Sequence, residues 1–159
     1  TQSRSSAASD VYKRQFNDCP EMTASTPPIQ TPDGSGTAIV LFGHGSRDPR
    51  WAEPMEAVAT RLRTLVPHRP VVCTYLELMT PDLPTACDAL VAQGTRTVEI
   101  LPMFLGTGRH AREDLPELVA ALRQRHTDTA FVLRTALGED PAMIEAISQW
   151  ALRLPSGPA

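Results

Sequence analysis

The chain has 159 residues, 42% hydrophobic and 21% charged, with a formal net charge of −3; this suits one globular domain with its own core and excludes a disordered or fibrous chain. A pI near 5.8 gives no basic footprint for a phosphate backbone and argues against a nucleic-acid partner. No window approaches ~18 consecutive apolar residues, so no membrane-spanning helix is expected.

Aromatic residues are only 5% of the chain, so Leu, Val, Ala and Ile must carry most of the burial. The single lysine is Lys13; from Thr37 onward every basic side chain is arginine or histidine. That removes P-loop, Schiff-base and lysine general-base chemistry from the folded part. Cys19, Cys73 and Cys87 form an odd set without CxxC or metal-ligand spacing, as expected of reduced thiols in a cytoplasmic protein.

Residues 1–36 are rich in Ser, Thr, Pro, Asp and Gln and follow neither helical nor strand periodicity. They contain no secretory-signal pattern, and residues 5–15 look like translated adapter sequence, which would put the natural start at Met22 or later. This segment is expected to be disordered. The domain is expected over residues 37–154, with 155–159 as a tail.

From Thr37, short apolar runs alternate with helical patterns. Ala38 to Phe42 is a continuous apolar run ending in Gly43, the form of a strand buried on both faces. Asp48-Pro49 can cap and open a helix whose face carries Trp51, Met55, Val58, Leu62 and Leu65. Val71 to Leu76 is a second strand. Thr80-Pro81 then opens a helix with Leu83, Cys87, Leu90 and Val91, closed by Gly94. Thr97 to Leu105 is the third apolar run, with regular pairing ending near Pro102. A helix from about Asp114 to Arg125 follows, then a strand at Ala130 to Leu133. Asp140-Pro141 caps a last helix with Ile144, Ile147 and Trp150. Four such units predict an α/β fold, a four-stranded parallel sheet covered by helices on both faces. In the order 2-1-3-4 the chain reverses direction between strands 1 and 3, where such sheets bind ligands beyond the strands' carboxyl ends.

Both unusual histidine segments follow those two strands. His44 lies between Gly43 and Gly45, ahead of Ser46 and Arg47; the glycines let the backbone bend and leave the imidazole uncovered. A turn histidine bonded to backbone is the structural alternative. Ser46 lacks the spacing of a nucleophile elbow and reads as a cap or an anion contact. His110 ends Gly106-Thr107-Gly108-Arg109-His110, and Asp114 beyond it either fixes the imidazole tautomer or caps the following helix. Glu77, between Leu76 and Leu78, is a third ligand or proton acceptor on one reading and a solvated strand-end carboxylate on the other. His68 and His126 sit in polar connections at the far edge and read as surface residues. Two histidines on one sheet edge suit an open metal site or an acid/base pair. A closed zinc site would need ligands the cysteines do not supply.

Leu41 to Arg47, Leu76 to Leu83 and Leu101 to His110, taken in order, resemble the small CbiX-type sirohydrochlorin chelatases, class II chelatases of the CbiX/SirB type. The likeness covers about Thr37 to Leu154. It implies the chelatase-like α/β fold and insertion of a divalent metal, Co²⁺ or Fe²⁺, into a sirohydrochlorin-type tetrapyrrole with release of two protons. Cobalt, for cobalamin synthesis, is the first choice and iron, for sirohaem, the alternative. It implies that His44 and His110 are the metal-binding and catalytic pair and that Glu77 occupies the acidic position of the middle motif. Ser46, Arg47, Arg109 and Arg112 become candidates for the substrate's carboxylates, which suit arginine forks. No nucleotide or organic cofactor is implied, and a single-length chain implies a homodimer. The rival readings are a non-catalytic metal or tetrapyrrole carrier, and a hydrolase or phosphate-binding domain using Ser46 and His110.

Overall fold

The computed structural model describes residues 36–106 and 108–153, the side chains of residues 109–111 excepted. The expectations for the N-terminal segment and for the tail lie outside those residues. Four strands form one parallel sheet: β1 (Thr37–Gly43), β2 (Val71–Tyr75), β3 (Thr97–Pro102) and β4 (Ala130–Leu133), in the order β2-β1-β3-β4. The helices are α1 (Glu53–Leu65), α2 (Leu83–Ala92), α3 (Arg109–Arg125) and α4 (Pro141–Leu152). Short 3₁₀ turns at Pro49–Ala52 and Leu137–Glu139 precede α1 and α4.

The expected strand order follows from the apolar runs. β1 is central and pairs on both sides, Leu41 with Cys73 of β2 and with Leu101 of β3, so both of its faces must be apolar. Ala38, Val40 and Phe42 join Val98, Ile100 and Phe131 in a core with Leu83, Cys87 and Leu90 of α2 and Leu115, Val119 and Leu122 of α3. Ile39 and Leu41 face the other way, packing with Val71, Cys73 and Tyr75 against Ala52, Met55 and Ala59. An arginine near the end of a helix clamps the next strand twice. Arg63 donates through Nε and Nη2 to the Val71 carbonyl (3.1 and 2.9 Å), and Arg123 does the same to Phe131 (3.0 and 2.6 Å). Only a planar fork makes both bonds at once.

Three local expectations need correction. The face of α1 is Met55, Ala59 and Leu62, whereas Trp51, Val58 and Leu65 are exposed: small Ala59 lets the helix lie close to the sheet, and hydrophobicity alone ranked it below Val58. The second helix opens at Leu83 rather than Thr80-Pro81, because the Asp82 carboxylate accepts from the Thr85 amide (2.8 Å) and so caps it. The third begins at Arg109, five residues before Asp114, with Gly108 as its N-cap. Arg109 to Glu113 contains no helix breaker, so nothing stops the helix from reaching back to that glycine.

Candidate active site

β1 and β3 are neighbours, and the segments leaving them turn to opposite faces, toward α1 and α3. His44 is the first residue beyond β1. The β1–β2 ladder continues past the strands: the Leu76 amide donates to the Gly43 carbonyl (2.9 Å) and the Glu77 amide to the His44 carbonyl (3.0 Å). This extension sets the two side chains side by side, His44 Nδ1 lying 3.5 Å from Glu77 Oε1, both about half exposed at 52% and 54%. An imidazole next to a carboxylate at the solvent edge can take up a proton or share a cation.

The backbone around this pair is tightly constrained. Gly45 has φ +93°, and a Cβ built there would lie 1.9 Å from the Glu77 carbonyl oxygen, so only glycine lets the two loops meet. Beneath Gly43, a Cβ would come within 3.0 Å of the Trp51 ring and 3.1 Å of Met55 Sδ; Trp51 in turn stands edge-on to Tyr75. After Glu77, Leu78 takes φ +64° while the Met79 amide donates to the Glu77 carbonyl (2.8 Å). A three-residue turn with positive φ at a leucine is strained, and the strain sits beside the pair.

Ser46 Oγ accepts from the Asp48 amide (3.1 Å), and Asp48 Oδ1 accepts from the Arg50 amide (3.0 Å). Ser46 therefore serves the turn that starts the 3₁₀ segment, as a cap would. Arg47, three residues along the chain from His44, is exposed.

Because α3 starts at Arg109, His110 stands in the first turn of a helix rather than in a glycine loop. Thr107 and the side chains of Arg109 and His110 lie outside the described residues, so the meeting of the two imidazoles does too. Asp114 is an exposed residue of the second turn and not a cap. Arg112 is exposed and borders a cavity of about 470 Å³ between the start of α3 and the end of β4, with Phe104, Leu115, Arg134 and Glu139 among its walls. Among the described residues no three His, Cys, Asp or Glu side chains cluster closely enough to hold a metal.

Sequence reasoning passed over Arg134 and Gly138. Arg134 follows the β4 run directly, as charged Glu77 follows β2 closely, and that signal was available. Gly138 had none: a Cβ there would lie 1.9 Å from the Leu105 carbonyl oxygen, and its amide donates to the Phe104 carbonyl (2.8 Å). The β4–α4 turn is thereby pressed against the segment leading to His110. His68 is exposed, as expected. His126, expected at the surface, is instead largely covered: its side chain is only 19% exposed, its ring lies 6.0 Å from that of Phe131, and Nε2 sits 2.7 Å from Asp88 Oδ1 at the end of α3. Cys73 and Cys87 are free and buried, and burial pushes both thiols up to about 12, helped at Cys73 by Glu56 and at Cys87 by Asp88.

Compared with known proteins, residues 38–153 match the CbiX family model. The chain is 31% identical over 85 residues to a sirohydrochlorin cobaltochelatase of Methanococcus aeolicus, covering 54% of this chain and 59% of that protein. It is 26% identical over 110 residues to the sirohydrochlorin ferrochelatase of Bacillus subtilis, covering 69% and 42%. A crystal structure of a CbiX protein from Marinobacter aquaeolei superposes with a TM-score of 0.63 at 31% identity, over 73% of this chain and 94% of that one. The chain spans about half the length of the curated relatives it matches.

Proposed function

The chain belongs to the CbiX family, and on that premise we propose that it is a sirohydrochlorin chelatase. It would insert a divalent metal into the free tetrapyrrole, two pyrrole N–H protons leaving as the M²⁺ ion takes their place. The observation that carries this is the His44–Glu77 contact of 3.5 Å beyond the carboxyl end of the central strand. In this reading His44 and His110 hold the incoming metal and accept the protons, and Glu77 assists through His44. Arg47, Arg109 and Arg112, with Ser46, meet the carboxylates of the macrocycle. The reaction needs no nucleotide, in keeping with a sequence that has no motif for one.

Cobalt and iron stand level. Relatives carry both names, and imidazole and carboxylate donors take both ions; cobalt is kept as the first metal to test. A homodimer acting in the cytoplasm completes the proposal, and no helix among the described residues is long and apolar enough to cross a membrane.

The test mixes the purified full chain with sirohydrochlorin and Co²⁺ or Fe²⁺ and follows absorbance against an enzyme-free control. His44→Ala and His110→Ala are each expected to cut the initial rate at least ~100-fold, a usual effect of losing an acid/base group. Rates within a few fold of the parent in both variants remove the mechanism. Saturable tetrapyrrole binding without rate enhancement makes the protein a carrier instead.

A further inference from the structure

The residues that leave β2 part company. Leu76 packs against the core beneath α2 and α3, and Met79 against the core beneath α1. Glu77 lies beside His44. Leu78 joins neither core and is 57% exposed. It is also, among the described residues, the one non-glycine with a positive φ, +64°. The Met79 amide reaches back past it to the Glu77 carbonyl (2.8 Å), so the chain reverses at Leu78 and leaves its side chain in solvent. Trp51 and Leu105 are exposed as well, but neither shares this combination. Trp51 is braced by Gly43 and Tyr75, and Leu105 has no positive φ.

Leucine is a poor choice for such a position. The left-handed conformation crowds a Cβ against the following carbonyl, a clash that glycine avoids and asparagine tolerates. Exposure denies leucine the burial that would offset the strain. If the turn had only to deliver Glu77 to His44, glycine or asparagine would serve it better. What leucine adds is an apolar surface one residue from Glu77. The reaction proposed above supplies an occupant for that surface, since a tetrapyrrole presents a flat, apolar conjugated face inside a rim of carboxylates. We infer that Leu78 is a substrate-contacting residue: its side chain packs on the face of the macrocycle beside the His44–Glu77 pair and selects for an extended flat ring, while arginines meet the rim. The inference rests on the chelatase reading and adds to it the contact that holds the ring.

The test uses the full chain and sirohydrochlorin. Binding is read without metal from the quenching of sirohydrochlorin fluorescence, and turnover from the absorbance assay. Leu78→Asn keeps a residue at home in the left-handed turn and removes the apolar surface. Covering the exposed part of one leucine sets the size of the effect: Kd and KM should rise about tenfold, with kcat within about twofold and an equal or higher midpoint in urea. Leu78→Met restores an apolar chain of similar volume and should bring Kd and KM back to within about twofold of the parent. Leu78→Asn with Kd and KM within about twofold of the parent overturns the inference. So does a loss in kcat alone, because the turn would then act only through Glu77, and so does Leu78→Met binding as weakly as Leu78→Asn. In each of those cases an active parent leaves the chelatase reading standing. A parent that neither binds nor metallates sirohydrochlorin overturns that reading and this inference together. In a parent that binds without turnover, the Kd values alone decide for or against Leu78.

Discussion

Gly45→Ala is the sharpest probe of how the His44–Glu77 pair is held. Two costs follow from the structure. At φ +93° a Cβ adds about 1–2 kcal/mol of backbone strain. The new methyl also starts 1.9 Å from the Glu77 carbonyl oxygen, so the loops must part by more than ~1 Å to reach ordinary contact. That breaks the bond from the Glu77 amide to the His44 carbonyl, worth about 1 kcal/mol. The variant should therefore lose about 2–3 kcal/mol in urea unfolding, read as a lower midpoint at unchanged slope. The same displacement carries Glu77 away from His44, and a shift of ~1 Å at a reacting pair costs on the order of 100-fold in rate. Gly106→Ala is the control, since nothing lies within 4 Å of a Cβ there, and it should change stability by less than ~0.5 kcal/mol. Stability within ~0.5 kcal/mol of the parent together with a rate within about twofold would refute the reasoning.

Gly138→Ala forces a methyl against the Leu105 backbone and should cost about 1–3 kcal/mol, the range for overpacking, while slowing metal insertion through the segment ahead of His110; thermal melts and the absorbance assay report both. Asp82→Ala removes the α2 cap and should cost about 1 kcal/mol in urea unfolding. Hydrogen bonds from Thr85 hold the Asp82 carboxyl below its usual range, so the cap's contribution is present above pH ~4 and fades as pH falls through the lowered value; Asp82→Ala should flatten that part of the acid limb. Burial gives the opposite sign at Cys73 and Cys87, whose thiols lie at about 12 in the folded protein against 9.0 ordinarily. Their contribution is full below about pH 9 and is lost as pH rises toward 12. A thiol reagent at pH 8 should leave both unlabelled until denaturant is added.

What the sequence determined by itself is the local and patterned part of this protein. The apolar runs at Ala38–Phe42 and Ala130–Leu133, the stop at Pro102 and the cap at Asp140 follow from burial periodicity and backbone chemistry that neighbouring residues settle among themselves. Glycine flanks around His44 and a charge inside the Leu76–Leu78 run marked the candidate site, because such residues are poor choices for packing alone. Only the tertiary structure could decide that Glu77 comes to His44. That contact depends on the register of β2 against β1 and on a glycine whose missing Cβ admits a carbonyl more than thirty positions away. It also decided that Ala59 rather than Val58 faces the sheet, and that Gly138 presses on Leu105. The last helix shows the limit most plainly: the spacing of Ile144, Ile147 and Trp150 announces an apolar face, yet all three stay exposed, because whether a face is covered depends on three-dimensional adjacency that no short stretch of chain contains.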